Sequence, residues 1–312
     1  MTDQNKHELS LLIKEKAREL GFAGCGICKA EMLAEEEDHL KKWLSNGYQG
    51  NLKYMENHVD KRLDPGKLFA HAASVISVII NYRPVELIPT EDNYKIARYA
   101  YGKDHHKVIK NKLKTLIREI ESKAGRIQAR ILIDSAPILE KAWTRRAGLG
   151  WVGKNSIVIN PEIGSFFFPS EIVTDLELEY NEQSMADRCG NCTRCIDSCP
   201  TGALVAPGTL DARKCISYYT IEVDDPVPEE LKGRFHDRIF GCDICQEVCP
   251  WNAKRIVQTE PSFRLSDDLK KMRKQDWENL SREDFDRIFA GMAIRRSKFE
   301  GLKRNIALVS GK

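Results

Sequence analysis

The chain lacks the features that export a protein or anchor it in a membrane. Its first residues, MTDQNKHELSLLIKEKAREL, contain neither the apolar core of a signal peptide nor a twin-arginine pair. The longest apolar run, residues 72–80, is too short to cross a bilayer, which takes about 20 residues. We therefore expect a cytoplasmic protein with no membrane partner.

The 312-residue sequence also has little excess charge, no low-complexity segment and no internal repeat apart from two cysteine motifs. A net charge of +3 does not by itself indicate a nucleic-acid partner. Hydrophobic residues make up 42% and charged residues 30%, which is typical of a globular chain with a real core. At roughly 100–200 residues per domain, this length predicts about two domains.

Cysteine, by contrast, is abundant, with ten residues in all. Structural disulfides are rare in a reducing cytoplasm, so metal binding is the first interpretation to test. The first motif, Cys189–Pro200, reads C-x2-C-x2-C-x3-C-P, the iron–sulfur spacing of bacterial ferredoxins. The second, Cys242–Pro250, repeats the C-x3-C-P ending with one cysteine fewer, and Cys215 between the motifs is the natural replacement.

Eight cysteines are enough for two [4Fe–4S] clusters, and the last cysteine of each motif binds the other cluster in such proteins. The predicted ligand sets are Cys189, Cys192, Cys195 and Cys249 for cluster 1, and Cys199, Cys215, Cys242 and Cys245 for cluster 2. Zinc is the alternative, but zinc sites favour paired C-x2-C units and not two interleaved C-x3-C-P endings. Two adjacent clusters suit electron transfer in series.

Cys25 and Cys28 form one more C-x-x-C. A thioredoxin-like redox pair is one interpretation. We favour two small buried residues, because cysteine packs well in cores and no second pair completes a metal site there.

Helical and strand-like patterns alternate over the first 180 residues, which predicts an α+β domain. Apolar spacing predicts helices over 8–20 and 106–122, and continuous β-branched residues predict a buried strand over 74–82. Further strand-like runs lie at 156–159, 165–168 and 171–174.

The composition then divides the chain into three parts. Residues 1–180 form the predicted chemical domain, and residues 181–260 carry both cysteine motifs. Residues 261–312 are polar with helical patterns near 282–290 and 300–309, and we expect them to form a helical tail that packs on the core.

Clusters carry single electrons, so the first 180 residues are expected to supply a reaction centre. Residues 128–134, QARILID, predict a strand that ends in Asp134. An acid at a strand end is well placed to line a cleft, and it can donate a proton if its surroundings raise its pKa. The alternative is that Asp134 caps the helix predicted over 139–147, which ends at Gly148.

Two further stretches mix glycine with polar or aromatic residues. Residues 148–156, GLGWVGKNS, either approach a ligand closely or form a turn between a helix and a strand; the order of elements excludes a dinucleotide-binding fingerprint. Residues 96–106, IARYAYGKDHH, either line a large polar cofactor or form a solvated loop in which Asp104 caps the next helix.

Taken together, these segments resemble the epoxyqueuosine reductases, the cobalamin-dependent enzymes of queuosine biosynthesis. The resemblance spans nearly the whole chain in matching order. Besides both cysteine motifs it rests on KRLDP (61–65), IARYAYGKDHH (96–106), IDSAPILEKAWTRRAGLGWVGKNS (133–156), Gly164-Ser165 and RNIAL (304–308). It implies an α+β fold in which a nitroreductase-like cobalamin-binding domain precedes a ferredoxin-like domain with two [4Fe–4S] clusters.

The resemblance implies reduction of epoxyqueuosine to queuosine at the wobble position of tRNA. Electrons from an external donor are expected to pass through the two clusters to cobalamin, with Asp134 as proton donor. The residues implied to approach cobalamin, besides Asp134, are Arg62, Ala97, Val158, Ser217 and Asp243, to which sequence context adds Lys154 and Ser156. His105 and His106 are candidate cobalt ligands, but the resemblance implies that no histidine of the protein binds cobalt.

The expected partner is tRNA carrying epoxyqueuosine, with the modified base flipped out of its stack, and we expect a monomer. Phosphate contacts are predicted at Arg295, Arg296, Lys298, Lys303 and Arg304. The alternative is that this run is a solvated basic helix face. Two other functions stay open: a cobalamin-dependent reductase like the reductive dehalogenases, which usually carry a twin-arginine signal, and a ferredoxin-type carrier, which would not need the first 180 residues.

Overall fold

The computed structural model describes residues 2–181, 185–253 and 256–311. The helices are α1 Asp3–Glu19, α2 Ala34–Ser45, α3 Val59–Leu63, α4 His105–Ala124, α5 Glu140–Arg146, α6 Arg194–Asp197, α7 Ile244–Glu247, α8 Asp267–Lys271, α9 Lys274–Glu278, α10 Arg282–Ile288 and α11 Lys298–Ser310. The strands are β1 Gly24–Lys29, β2 Ser74–Asn81, β3 Lys95–Ile96, β4 Ala129–Leu132, β5 Trp151–Val152, β6 Val158–Ile159, β7 Phe167–Thr174, β8 Leu204–Ala206, β9 Thr209–Leu210 and β10 Arg238–Phe240. Within these ranges, no helix is both long enough and apolar enough to span a bilayer.

A four-stranded antiparallel sheet in the order β1-β2-β7-β4 organises the first part of the chain. The strand predicted over 74–82 is confirmed as β2, and all eight of its residues are buried. Because side chains alternate across a strand, Ile76 and Val78 join the core on one face, whereas Val75 and Ile79 join the core on the other. This two-sided burial explains why the strand is apolar without alternation.

The two predicted amphipathic helices, α1 and α4, cover one face of this sheet. Ile13 of α1 and Ile109 and Leu113 of α4 are completely buried against it. The Asp104 carboxylate caps α4 by accepting the backbone N–H of His106 at 2.9 Å. The cap fixes the start of α4 and therefore the direction in which the first histidines of the helix point.

Helix α5 covers the other face, with Trp143 fully buried in its middle. Its end lies so close to β1 that a Cβ on Gly26 would be 2.0 Å from the carbonyl oxygen of Ala147. Gly148 follows in the left-handed region with φ +75°, as the predicted helix stop requires. The stretch 148–156 contains a turn after α5, the short strand β5 and a second turn, in agreement with the interpretation of a turn between a helix and a strand.

The prediction of two separate strands at 165–168 and 171–174 is wrong. The runs 165–168 and 171–174 are not two strands but a single strand, β7, that pairs with β2 along its whole length. Pro169 lies inside β7, where proline is normally excluded because it lacks an N–H. It is tolerated because β4 pairs only with residues 171–174 and has ended before it reaches Pro169.

The segment after residue 260 contributes residues to a hydrophobic core and is not only packed against the surface of one. Its helices α8 to α11 form a core of their own with residues from the middle of the chain, among them Tyr94, Ile96 and Phe240. The Trp277 indole is fully buried at the centre of this core and donates a hydrogen bond to Asn93 Oδ1 at 2.9 Å. The C-terminal segment therefore helps to hold β3 and β10, which pair in parallel.

Candidate active site

The cysteine residues of the two motifs converge at two points. Short helices α6 and α7, which contain Cys195 and Cys245, pack against each other and bring the motifs together. A cavity of about 40 Å³ is lined by Lys154, Pro250 and Trp251 together with Cys189, Cys192, Cys195 and Cys249. These four are the set assigned by spacing to cluster 1.

The remaining three motif cysteines and Cys215 form the second group. Burial raises the pKa of the Cys245 thiol, and the nearby Cys199, Cys215 and Cys242 raise it further. Ser217 lies against Cys215 and hydrogen-bonds to its sulfur. None of the ten cysteines is in a disulfide. Half-buried thiols gathered in fours are suited to binding a metal, which displaces their protons on coordination.

Cys25 and Cys28 lie apart from both groups, on β1. Cys25 packs into the core under α1 and α4, and Cys28 packs into the core under α5, so the two thiols are on opposite faces of the sheet. Burial raises the pKa of each to about 12. This agrees with the interpretation of two small buried residues and not with a redox pair.

Asp134 stands two residues beyond β4 in a left-handed conformation, with φ +45°. Its Oδ2 is 3.1 Å from Nε2 of His106 and 3.6 Å from Nη1 of Arg296. Its own backbone N–H donates to Oε1 of Glu140 at 2.6 Å. The alternative role as a helix cap is not seen, because α5 has Leu139 at its N-cap without a side-chain hydrogen bond.

The surroundings of Asp134 lower its pKa, chiefly because the His106 side chain hydrogen-bonds to the carboxylate. The sequence-based condition for proton donation, a raised pKa, is therefore not met by this carboxyl alone. The neighbouring His106 side chain holds a proton instead, because hydrogen bonds with Asp104 and Asp134 raise its pKa to about 9. His105 differs, because burial lowers its pKa to about 4, and its ring stacks on Phe168 with centroids 4.0 Å apart.

Two cavities meet at Asp134. The outer one, which we name the His106 cleft, has a volume of about 710 Å³ and is lined by residues that include His106, Asp134, Glu140, Glu222, Arg295 and Arg296. The inner one, the Arg62 cavity, has a volume of about 430 Å³ and includes Trp43, Arg62, Asp134, Glu140, Lys141 and Ser156. Asp134 and Glu140 line both, so a ligand in either cavity can reach the carboxylate.

Most of the residues predicted to contact cobalamin line different cavities of the structure. Arg62, Asp134 and Ser156 share the Arg62 cavity. Ala97 and Asp243 line a separate cavity of about 210 Å³, where Asp243 Oδ2 accepts the backbone N–H of Arg98 at 2.8 Å.

The other three lie elsewhere. Val158 is buried in β6, and Ser217 contacts Cys215. Lys154 points to the cluster 1 cavity, where its Nζ donates to Gly190 O at 2.6 Å.

The Arg62 cavity has the character of a ligand site. Within the described residues, the buried Ser156 Oγ has no hydrogen-bond partner, and burying a hydroxyl without a partner costs free energy. Arg62 is held rigidly, since its guanidinium donates to Tyr54 O at 2.6 Å and to Asn57 O at 3.2 Å. A large polar cofactor that supplies an acceptor or donor to Ser156 fits this arrangement.

The basic residues near the C-terminus do not act as one surface. Arg295 and Arg296 line the His106 cleft, and Lys298 is exposed. Lys303 Nζ instead donates to Glu278 O, and the Arg304 guanidinium bonds to Asp224 and to the carbonyls of Tyr219 and Val223. Two of the five predicted phosphate contacts, Lys303 and Arg304, therefore bond to neighbouring groups of the protein in this structure.

Sequence reasoning missed Glu140 and Glu222. Glu140 gave no signal because it lies at the first turn of a helix, where acids are common. Glu222 accepts a hydrogen bond from Arg296 at 3.1 Å across the cleft, a pairing between distant segments that no local pattern reveals.

Two family models match the chain. The model described as "4Fe-4S double cluster binding domain" covers residues 188–252, and the model described as "Epoxyqueuosine reductase QueG, DUF1730" covers residues 62–135. The first spans both cysteine motifs, and the second runs from Arg62 past Asp134.

Relatives extend the match to the full length. Epoxyqueuosine reductase of Cellulophaga algicola is 48% identical over 98% of this chain and 99% of its own, and that of Leadbetterella byssophila is 50% identical over 95% and 97%. A solved epoxyqueuosine reductase with an epoxyqueuosine-modified tRNA-Tyr stem loop superimposes with a TM-score of 0.86 at 29% identity, covering 97% of this chain and 80% of that one. By sequence and by structure, the chain belongs to the epoxyqueuosine reductase family of oxidoreductases.

Proposed function

We propose that this chain reduces epoxyqueuosine to queuosine at the wobble position of tRNA. An external donor would supply the electrons, and this chain would hold two [4Fe–4S] clusters and a cobalamin through which they reach the epoxide. The observation that carries the proposal is the position of Asp134, which lines both the His106 cleft and the Arg62 cavity. The family of the chain and the tRNA stem loop bound by a solved relative support the substrate.

The clusters are the relay in this proposal. Residues 181–260 hold them, with the two sets of four cysteines assigned above as ligands. Support comes from the cavity that Cys189, Cys192, Cys195 and Cys249 share, and from the packing of α6 against α7. A short distance between two clusters favours passage of one electron at a time.

Residues 1–180 hold the cobalamin, together with Ser217 and Asp243 from the cluster segment. When bound, the cobalamin supplies a cobalt centre that donates electrons to the substrate. The side chains that would hold it begin with Arg62 and Ser156, whose buried hydroxyl lacks a partner among the described residues. Ala97, Val158 and Lys154 are the further contacts, and Lys154 lies nearest to the cluster 1 ligands. A nitroreductase-like fold for this part follows from the family resemblance.

The tRNA approaches over the His106 cleft. Arg295 and Arg296 line this cleft, and the exposed Lys298 follows them closely in the sequence, so these three basic residues are the proposed phosphate contacts. A base turned out of the anticodon stack can enter a cleft of about 710 Å³ and reach Asp134.

The test is reconstitution under anaerobic conditions with iron, sulfide and cobalamin, followed by incubation with epoxyqueuosine-containing tRNA and a strong one-electron reductant. Nucleoside mass spectrometry is expected to show queuosine, and none when cobalamin is left out. Absence of queuosine with fully loaded protein would contradict the proposal. A halogenated aromatic offered in the same assay tests the dehalogenase alternative, for which we expect no turnover.

A further inference from the structure

His106 has a carboxylate at each of its two ring nitrogens. Nδ1 is 2.7 Å from Asp104 Oδ1, and Nε2 is 3.1 Å from Asp134 Oδ2. An ionised carboxylate only accepts hydrogen bonds, and a neutral imidazole has a single N–H to donate. Only the doubly protonated imidazolium satisfies both contacts, so the geometry holds a proton on His106.

The other groups around the ring reinforce this state. Asp104 stays ionised, because its hydrogen bond with His106 lowers its pKa to about 2. Arg296 Nη1 lies 3.6 Å from the same Asp134 oxygen, Oδ2, and the guanidinium also pairs with Glu222. His105 stacks against His106 with centroids 4.2 Å apart and is neutral, since burial lowers its pKa. Glu140 contacts the backbone of Asp134, and burial raises its pKa.

Asp134 by contrast has no proton of its own to give. Its Oδ2 contacts both the imidazolium of His106 and the guanidinium of Arg296, and both stabilise the ionised form. A group in this state donates a proton only if a neighbour first supplies one.

We propose that His106 is the proton store of the active site and passes protons to substrate through Asp134. The inference rests on the proposed function, since it assumes that Asp134 faces the epoxide. His106 is a positioning residue in this scheme, and Asp134 is the residue that touches the epoxide.

The stoichiometry of the reaction requires such a store. Removal of an epoxide oxygen as water breaks two C–O bonds, forms one carbon–carbon π bond and two O–H bonds, and consumes two electrons and two protons. The external donor supplies the electrons. A single carboxylic acid supplies one proton, so a second must reach Asp134 while the substrate is still bound.

His106 is placed to provide both protons in turn. It gives its Nε2 proton to Asp134, which transfers it to the epoxide oxygen. The side chain of His106 is 36% exposed, so the ring can take a new proton from solvent, and Asp104 draws it back to the charged form. The second transfer turns the hydroxyl into water.

The variant His106→Gln tests this with the reconstituted enzyme and an epoxyqueuosine-containing stem loop. Glutamine can hydrogen-bond to Asp134 but cannot relay a proton. We expect kcat to fall about 100-fold with KM unchanged, as for loss of a general acid. We also expect the wild-type kcat to decline as pH rises through about 9, where His106 loses its proton. In the variant this alkaline limb disappears and a decline in the acid range, set by Asp134 itself, replaces it.

The matched control is His7→Gln. His7 makes the same kind of contact on the surface, with Nδ1 2.6 Å from Glu179 Oε2, far from the cleft in α1. This variant is expected to keep the wild-type kcat and the wild-type alkaline limb. Iron and cobalamin contents of both variants are measured first, so that a fall in kcat is assigned only to fully loaded protein.

A second measurement does not depend on turnover or on the variant. Histidine ring resonances of the wild-type protein with oxidised clusters are followed by NMR against pH, and the His106 signals are identified by their absence in His106→Gln. They are expected to stay in the imidazolium position up to about pH 8. Titration of His106 near pH 6.5, or a His106→Gln enzyme with unchanged kcat and pH profile, would overturn the inference. If the wild type makes no queuosine at all, the proposed function fails instead.

Discussion

At the scale of single residues, Asp134 decides whether chemistry occurs. The substitution Asp134→Asn removes the acid but keeps its shape, and asparagine tolerates the left-handed backbone that this position adopts. We expect clusters and cobalamin to bind normally while queuosine formation falls at least about 100-fold, the range for loss of a proton donor. Stopped assays with nucleoside mass spectrometry measure this.

The control for this variant is Asp92→Asn. Asp92 is also left-handed, with φ +48°, but it is exposed and lines neither the His106 cleft nor the Arg62 cavity. It is expected to behave as wild type. Unchanged turnover in Asp134→Asn would remove its assigned role as proton donor.

Cys215 is the second decisive residue, because it lies outside both spaced motifs. Cys215→Ala is expected to leave cluster 1 intact and to lower the iron content from about eight to about four atoms per chain. Cys25→Ala serves as the control, since Cys25 packs into the core away from the motif cysteines and leaves iron unchanged. An iron content still near eight in Cys215→Ala would show that another residue is the ligand.

The sequence identified the acid but not the groups that control it. Asp134 could be found because it ends an apolar strand, a local pattern. Its low pKa could not be foreseen, because His106 lies 28 positions before it and Arg296 joins it from the C-terminal segment. Such contacts depend on how α4 and the last helices pack, which spacing along the chain does not encode.

At the scale of elements, β1 and the end of α5 pack so closely that there is no room for a side chain at Gly26. Gly26→Ala places a Cβ 2.0 Å from the carbonyl oxygen of Ala147, and neither backbone can move freely. We expect a loss of about 1–3 kcal/mol in the free energy of unfolding, as for overpacked cores. Denaturant titration under anaerobic conditions measures it.

The comparison is Gly301→Ala. Gly301 lies inside α11, where a Cβ would meet Ser297 Cβ at an ordinary 3.6 Å. Alanine favours the helix by about 0.5–1 kcal/mol, so this variant is expected to be at least as stable as wild type. Equal stability of the two variants would show that β1 and α5 are less tightly packed than described.

Sequence periodicity found most elements of the first domain because their faces are simple. Helices α1 and α4 each bury one stripe, and β2 is apolar on both faces. It failed at β7, where Pro169 looks like a break. Whether a proline ends a strand depends on how far its neighbour β4 extends, and that is a property of the whole sheet.

At the scale of the whole molecule, three stretches distant in sequence share one core. Residues around Tyr94 and Ile96, β10 with Phe240, and the helices after residue 261 bury their apolar side chains together. Composition alone suggested a polar tail here, because short helices with many charges show little apolar pattern. This core could not be predicted from the sequence, because its residues lie far apart in the chain and meet only in the folded structure.

This shared core predicts that the C-terminal helices support the clusters. Trp277→Ala removes the fully buried indole of this core and leaves Asn93 Oδ1 without the N–H that donates to it. We expect a loss of about 3–5 kcal/mol in the free energy of unfolding. Because Phe240 belongs to the same core and Cys242 follows it closely, iron–sulfur absorbance should be lost in the same thermal transition as helical circular dichroism.

The control is Val85→Ala, at a side chain that is 64% exposed, which is expected to change the free energy of unfolding by less than about 0.5 kcal/mol. Cluster absorbance that survives after the helices of the Trp277 variant have melted would mean that the segment after residue 260 is only an appended tail.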